Sequence, residues 1–387
     1  MKNKKFITTF LGLFLLSACK PSVSVAPIPN ADLISTAVAA TIAADTAAGL
    51  VPAQKAESAD KEASNNINPL TGLAVDDPSL LERRPVMVKV SNFPRLGRPH
   101  AGLSFADIIF DYFIGNGTNR FLALFYGQDS PSIGPVRSGR RVDAQLVNMY
   151  MGILGYGSAD NDTDEVIVSK LGDYAISNLE APCPVFCGTD THDVLGVFAN
   201  SHEISKYADQ LGMKNEKPDL PNMVFSDAAP ANGQPGEKLT VLFNFYNRAE
   251  WRYDPQSGKY LRWIEYMEED LGTKYEMIPL TDRVTGEQLA FSNVIVIFAK
   301  YTELAPSAHD IDIWDNDSGK KAYFFRDGLL TKGKWKVKNA SDPMEFLDAD
   351  GLSYQLKPGN TWIVIMGLTS PIYETEPGNW ETYFLLP

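Results

Sequence analysis

The sequence predicts an α+β protein in two parts, an N-terminal domain of mixed α/β layers followed by a mostly β C-terminal domain. Three observations lead there. Between residues 67 and 228, strand-like runs rich in β-branched and aromatic residues alternate with helical periodicity. From 237 to 387 the helical signal stops, and strand-like runs follow one another through tight turns. Between them lies "SDAAPANGQPGEK", Ser226 to Lys238, where proline, glycine, alanine and asparagine replace any period and mark a seam. The roughly 320 residues involved are more than one hydrophobic core usually covers, which supports two domains.

In the first domain "PVMVKVSN", "DIIFDYFI", "RFLALFYG" and "MGILGYGS" read as strands, and "VDAQLVNMY" and "DTDEVIVSKLG" as helices. The second of these helices opens with Asp162, has Glu165 three residues on, and closes at Gly172; "NSHEISKYADQLG" repeats the device with Asn200, Glu203 and Gly212. In the second domain "KLTVLFNFY", "EWRYD", "KYLRWIEY", "NVIVIFAKY", "DIDIW", "KAYFFRDG", "KWKVKN" and "TWIVIM" read as strands, joined at "PQSGK", "NDSGKK" and "DADG". "DNDSGK" resembles a calcium loop only at its start. Lys320 occupies the sixth position and Arg326 the twelfth, so a hairpin turn is expected there.

Ahead of both domains stands "MKNKKFITTFLGLFLLSACK": lysines, an apolar run from Phe6 to Leu16 too short to span a bilayer, then small residues. Leu16-Ser17-Ala18-Cys19 is the boundary at which bacterial lipoproteins are lipidated and cleaved. Residues 1–19 are therefore read as the signal and Cys19 as the lipid attachment site, anchoring the protein to the membrane from outside the cytoplasm. Residues 20–66, rich in alanine, serine and threonine with almost no aromatics, are expected to be a disordered tether. The formal net charge is −13, and losing the three leader lysines takes it to −16, which disfavours nucleic acid as a broad-surface partner.

Few motifs carry chemistry. Cys183 and Cys187 in "APCPVFCGTD" allow a small disulfide loop in an oxidising compartment, two free thiols, or a metal reading with His192 and Asp190; the spacing fits no common zinc or thiol-redox pattern. His100, His192, His202 and His309 show no metal-binding spacing, so no metal and no cofactor are expected. Ser138 and Ser158 sit in glycine-rich turns without the frame of a nucleophile elbow. Asp107 with Asp111, or Asp160, Asp162, Asp164 and Glu165, could supply paired carboxylates for glycan cleavage, but read equally as solvated loop and helix start. Trp251, Tyr253 and Trp263 offer either a sugar-stacking face or sheet packing.

The densest positive charge is "SIGPVRSGRR". Arg137, Arg140 and Arg141 follow the Gly134-Pro135 turn, and a helix starting near Ser138 would add its free N–H groups, making an anion site. The competing reading pairs these arginines internally with Asp107, Asp111 or the 160–165 carboxylates.

"NPLTGL", "RPVMVKVSNFPRLGRPHAGLSFADIIFDYFIGNGTNRFLALF", "IGPVRSGRR", "NVIVIF", "DGLLTKGKW" and "LKPGNTWIVIM" together resemble the YerB-like bacterial lipoproteins, a two-domain family of unknown function. The resemblance runs from Asn68 to Met366 and implies architecture and location rather than a reaction. It matches "TNRF" to the family's stretch around Arg120, and "DTHDVLG" to a Pro-His-Asn run in which Asp193 replaces the asparagine and His192 is kept. The expected function is a ligand-binding or scaffolding lipoprotein of the cell envelope, with Arg120, Arg137, Arg140, Arg141 and His192 as an anion site for an anionic envelope polymer. The alternative is an enzyme acting on envelope glycans or phosphate-linked polymers, for which no catalytic residue is assigned.

Overall fold

The structure, a computed structural model, describes residues 66–188, 195–220, 223–267 and 274–386. Its strands in the first half are β1 (Val86–Ser91), β2 (Ile108–Gly115), β3 (Thr118–Phe125), β4 (Ile153–Tyr156), β5 (Ala175–Ser177), β6 (Phe186–Gly188) and β7 (Val197–Ala199), with helices α1 (Arg141–Met149), α2 (Asn161–Leu171) and α3 (Ser201–Gln210). The second half contributes β8 (Gln234–Pro235), β9 (Lys238–Asn244), β10 (Asn247–Asp254), β11 (Lys259–Tyr266), β12 (Glu276–Pro279), β13 (Ala290–Phe291) and β14 (Asn293–Ala305). It continues with β15 (Ala308–Asp312), β16 (Asn316–Arg326), β17 (Leu329–Val337), β18 (Glu345–Leu347), β19 (Thr361–Gly367), β20 (Ile372–Glu376) and β21 (Asn379–Tyr383).

The two halves share one sheet. Its order is β18-β17-β16-β14-β19-β2-β3-β1-β4-β5, with β15 on β14 and β8 on β17. The junction is the parallel pair β19–β2, in register from Thr361 opposite Ile108 to Ile365 opposite Tyr112. β14, β19, β2, β1, β4 and β5 run in one direction, with β3 reversed among them. Every residue of β1, β2 and β19 is buried, as expected of strands covered on both faces. The segment 226–238, expected to separate two domains, is knitted into the second half: Ser226 N donates to Leu356 O (2.8 Å), and Gln234–Pro235 pairs with β17.

Alternation along β2 sorts its side chains between two layers. Phe110 and Tyr112 face α1 and the tyrosine that follows it, Tyr150. Asp111 and Phe113 face the other way, toward a second sheet of order β12-β11-β10-β9-β21-β20, Phe113 stacking on Phe384, which packs on Phe243 of β9. Between the sheets the Arg262 guanidinium lies 4.1 Å over the Trp251 ring and 4.9 Å from that of Trp362. Its Nη2 is 4.0 Å from Asp111 Oδ2, and Asp111 also accepts from Asn119 Nδ2 and Trp362 Nε1. Burial lowers Arg262 to about 10 and raises Asp111 to about 6, so a pair this loose does not offset desolvation. Trp251 is thus a buried cation–π partner and presents no sugar-stacking face; Asp111 is a buried structural charge.

Two expectations shift. "NDSGKK" is not a turn but the start of β16, where the register against β17 slips between Asn316 and Lys320 and Gly319 adopts φ +82°; the glycine marks a bulge inside a strand. The helix expected from Asp162 is capped two residues earlier, by Asp160, whose side chain accepts from Thr163 N (3.1 Å).

Removing the guanidinium takes away the Asp111 counter-charge and leaves a void against two indoles. Arg262→Ala is expected to lower unfolding free energy by about 3–5 kcal/mol in denaturant titration. A loss below about 1 kcal/mol would mean the two sheets are held together by the surrounding apolar contacts alone.

Candidate anion site

"SIGPVRSGRR" does not enter a helix at Ser138. Residues 135–139 are drawn out between the carboxyl ends of β1 and β4: Ser91 N donates to Pro135 O (2.9 Å) and Arg137 N to Lys89 O (3.0 Å) on one side. On the other, Gly157 N donates to Arg137 O (2.9 Å) and Gly139 N to Ser158 O (2.8 Å). The wedge passes tightly over α2, since a Cβ at Gly139 would come within 2.7 Å of Ile167 Cδ1. Only at Arg141 is the backbone free to turn helical. Arg140 is the extended N-cap, and Asp143 Oδ2 accepts from its N–H (2.7 Å).

This threading gathers cations. Arg120, opposite Ser91 on one side and Tyr112 on the other, reaches out of β3 to donate Nη1–H to Ser138 O (2.6 Å). Beneath it lies a sealed cluster: Lys89 Nζ is 3.1 Å from Asp143 Oδ1, and Tyr112 OH bonds both Lys89 and Asp143. All three side chains are fully buried or nearly so. Asp143 thus serves Lys89 and Arg120, Asp160 acts on Arg140 from the start of α2, and Arg137 stands beside Arg120 and Arg140.

The charge is held at a cost. Burial, then Arg140 and Arg137, push Arg120 well below the ordinary arginine range; burial, then Arg140, lower Arg137. Burial brings Lys89 from 10.5 down to about 7 against the pull of Asp143. Among the described residues no carboxylate forms an ion pair with Arg120, Arg137, Arg140 or Arg141. Nε of Arg137 and of Arg140 are buried without a hydrogen-bond partner. The carboxylates proposed as internal partners are engaged elsewhere: Asp107 accepts from Asn68 Nδ2, Tyr126 N and Gly127 N, and Asp164 from Tyr156 OH (2.7 Å).

Arg120 and Arg137 open on a cavity of about 350 Å³, lined also by Phe93, Pro94, Ile114, Asn116, Thr118, Asn119 and Tyr246. It lies at the carboxyl ends of the parallel strands, the side of open α/β sheets where ligands bind. Arg140 stands behind it in the loop, and Arg141, on the first turn of α1, does not line it. Lys89, Tyr112 and Asp143 are what sequence reading missed. The available signal was a lysine at the centre of the apolar run "PVMVKVSN", which a strand buried on both faces tolerates only with a partner.

His192 and Cys19 lie outside the described residues. Cys183 and Cys187 are joined, with Cα atoms 4.6 Å apart. His100 is buried edge-on to Phe121, His309 packs on Phe113, and His202 Nδ1 is 3.5 Å from Asp129; among the described residues no three His, Cys, Asp or Glu side chains converge as metal ligands. No described helix is long and apolar enough to cross a membrane.

The fold and site define a strand-dominated protein whose two sequence segments build one sheet with a basic cleft at its carboxyl end. Those segments match two family models, "Protein of unknown function (DUF3048) N-terminal domain" over residues 70–214 and its C-terminal domain over 239–363. The chain belongs to this two-domain family, that of the YerB-like proteins. It is 30% identical over 323 residues to "Putative lipoprotein YerB" of Bacillus subtilis, covering 82% of this chain and 91% of that protein. The crystal structure of YerB from Bacillus subtilis superposes with a TM-score of 0.64 at 27% identity, covering 78% of this chain and 96% of the other.

Lys89 carries a pH signature. Its folded pKa lies below its unfolded value, so between about 7 and 10.5 the unfolded chain binds the extra proton and stability rises with pH. The expected slope is up to about 1.4 kcal/mol per pH unit, and Lys89→Met should abolish it. An unchanged slope in that variant would place the proton elsewhere.

Proposed function

We propose that this chain is a lipid-anchored protein on the extracytoplasmic face of the cell membrane, which holds an anionic group of an envelope polymer in the cleft at the carboxyl ends of its main sheet. One observation carries the reading: two guanidinium groups, Arg120 and Arg137, open on a single cavity whose lining contains no carboxylate. Guanidinium forks suit phosphate and carboxylate oxygens, and a charge cluster kept out of internal ion pairs is what a ligand of opposite sign would neutralise. Arg140, Lys89 and the capped start of α1 add positive potential behind the two contacting arginines, with Asp143 as a partial counter-charge. Arg141, on the first turn of α1, follows these residues without lining the cavity, and His192 belongs to the proposed set from the sequence alone.

The anchored location rests on the "LSAC" boundary at Cys19, on the alanine-rich stretch 20–66 as a tether, and on the lipoprotein name of the Bacillus subtilis relative. Glycan cleavage gains no support from this cavity, because its lining offers no pair of carboxylates to straddle a bond. The domain boundaries proposed are 67–228 and 237–387, a helix-bearing first domain and a strand-rich second one.

Two outcomes follow. The Arg137 side chain makes no internal hydrogen bond or ion pair among the described residues, so Arg137→Ala should move Tm by no more than about 2 °C. Inorganic phosphate at a hundred times its Kd, at matched ionic strength, should raise wild-type Tm by about 4 °C and leave the variant unmoved. A large drop in Tm for Arg137→Ala, with no phosphate effect on the wild type, would make the arginines a structural clamp. For the anchor, Cys19→Ser should shift the protein from the membrane fraction to the medium or periplasm. Equal membrane retention and equal fatty-acid labelling of both forms would refute lipidation at Cys19.

A further inference from the structure

The cavity is larger than an inorganic anion requires. At about 350 Å³ it falls within the range of small-ligand sites. Its cationic wall, Arg120 and Arg137, makes up only part of the lining. The rest is Phe93, Pro94, Ile114 and Tyr246, together with the polar residues Asn116, Thr118 and Asn119.

The aromatic pair has a definite shape. Phe93 and Tyr246 have ring centroids 6.4 Å apart and planes at 82°, so they form a corner rather than a slot. A planar base gains most from a slot of parallel faces, which this pair does not offer; a saccharide ring needs one apolar surface for its C–H groups and polar groups for the hydroxyls around its edge. The corner is built stiffly. Tyr246 OH donates to Asn116 O (2.5 Å), Arg95 Nη2 donates to Tyr246 O, and the Asn116-Gly117 turn, with φ of +50° and +69°, packs on Tyr246 and Asn244. Thr118 Oγ1 donates to Gly115 O (2.9 Å), which leaves the hydroxyl oxygen able to accept, and Asn116 is exposed. Asn119 is already committed: its amide donates to Asp111 and its oxygen accepts from Asn92 and Asn247, so it forms wall and contributes no free group.

We infer that the ligand is a phosphorylated saccharide, its phosphate on Arg120 and Arg137 and its sugar ring in the corner of Phe93 and Tyr246 beside Asn116 and Thr118. This rests on the anion reading above and adds the identity of the group that carries the charge. Phosphate is favoured over carboxylate because two guanidinium groups, Arg120 and Arg137, open on one cavity whose lining holds no carboxylate, and a dianion balances two such charges better than a monoanion.

The test is calorimetric titration of the full chain in detergent with inorganic phosphate, glucose 1-phosphate, glucose and adenosine monophosphate. Glucose 1-phosphate is expected to bind at least ~10-fold more tightly than phosphate, and glucose alone not measurably. Tyr246→Leu and, independently, Asn116→Gly, which keeps the turn's backbone freedom, should each draw the glucose 1-phosphate affinity toward that of phosphate. Arg137→Ala should abolish both. Equal affinity for phosphate and glucose 1-phosphate would overturn the saccharide assignment while leaving the anion site standing. Binding of neither would overturn the anion reading as well, and tighter binding of adenosine monophosphate than of glucose 1-phosphate would overturn the saccharide in favour of a nucleobase.

Discussion

The parallel pairing of β19 with β2 is the contact on which the rest of the structure depends. It lays a strand from the end of the chain against one from its first third, turning two sequence segments into one sheet. β2 thereby becomes an interior strand covered on both faces, and its two central polar residues must each find a partner. Asp111 finds Arg262, itself packed on two indoles; Tyr112 finds Lys89 and Asp143 on the opposite face. The long-range closure and the buried charges are thus two aspects of one constraint, because an acid and a phenol within an edge strand would have been solvated.

The same sheet direction produces the cleft. With β14, β19, β2, β1, β4 and β5 aligned, their carboxyl ends form a common rim, and the loop leading into α1 is pulled into that rim between β1 and β4. Main-chain hydrogen bonds, not side-chain pairing, hold Arg137 in place, which frees its guanidinium from any structural duty. Mutual repulsion among Arg120, Arg137 and Arg140 is tolerated because the backbone is fixed on both sides. Perturbed, unpaired charges held by a rigid scaffold are a mark of functional sites.

Much of this was legible in the sequence, and the failures have identifiable causes. The strands around "VMVKV", "IIFDYFI" and "WIVIM" were evident from composition, and α3 was given by its cap at Asn200, whose side chain accepts from Glu203 N (3.2 Å). The arginines stood out by density alone. What could not be read was the start of α1: local sequence allowed a helix from Ser138, but strand pairing of residues 135–139 outweighs that preference. "NDSGKK" failed for a similar reason, since a glycine in αL serves a bulge as readily as a turn. The seam at 226–238 was visible as composition, whereas the sheet spanning the two segments was not, because β19–β2 pairing is a contact between residues some 250 positions apart in sequence. Lys89, Tyr112 and Asp143 are scattered over three elements, and only the fold brings them together beneath Arg120.

The central claim is that Arg120 and Arg137 are held for an anion rather than for the fold. Arginine side-chain nitrogen NMR of the wild-type chain, titrated with inorganic phosphate, tests it most directly. The Nε–H signal of Arg137 and the Nη signals of Arg120 should shift saturably together, while that of Arg98, engaged by Glu265 at 2.8 Å, stays in place. Shifts of similar size at Arg98 and Arg137, or none at Arg120 and Arg137, would contradict the account.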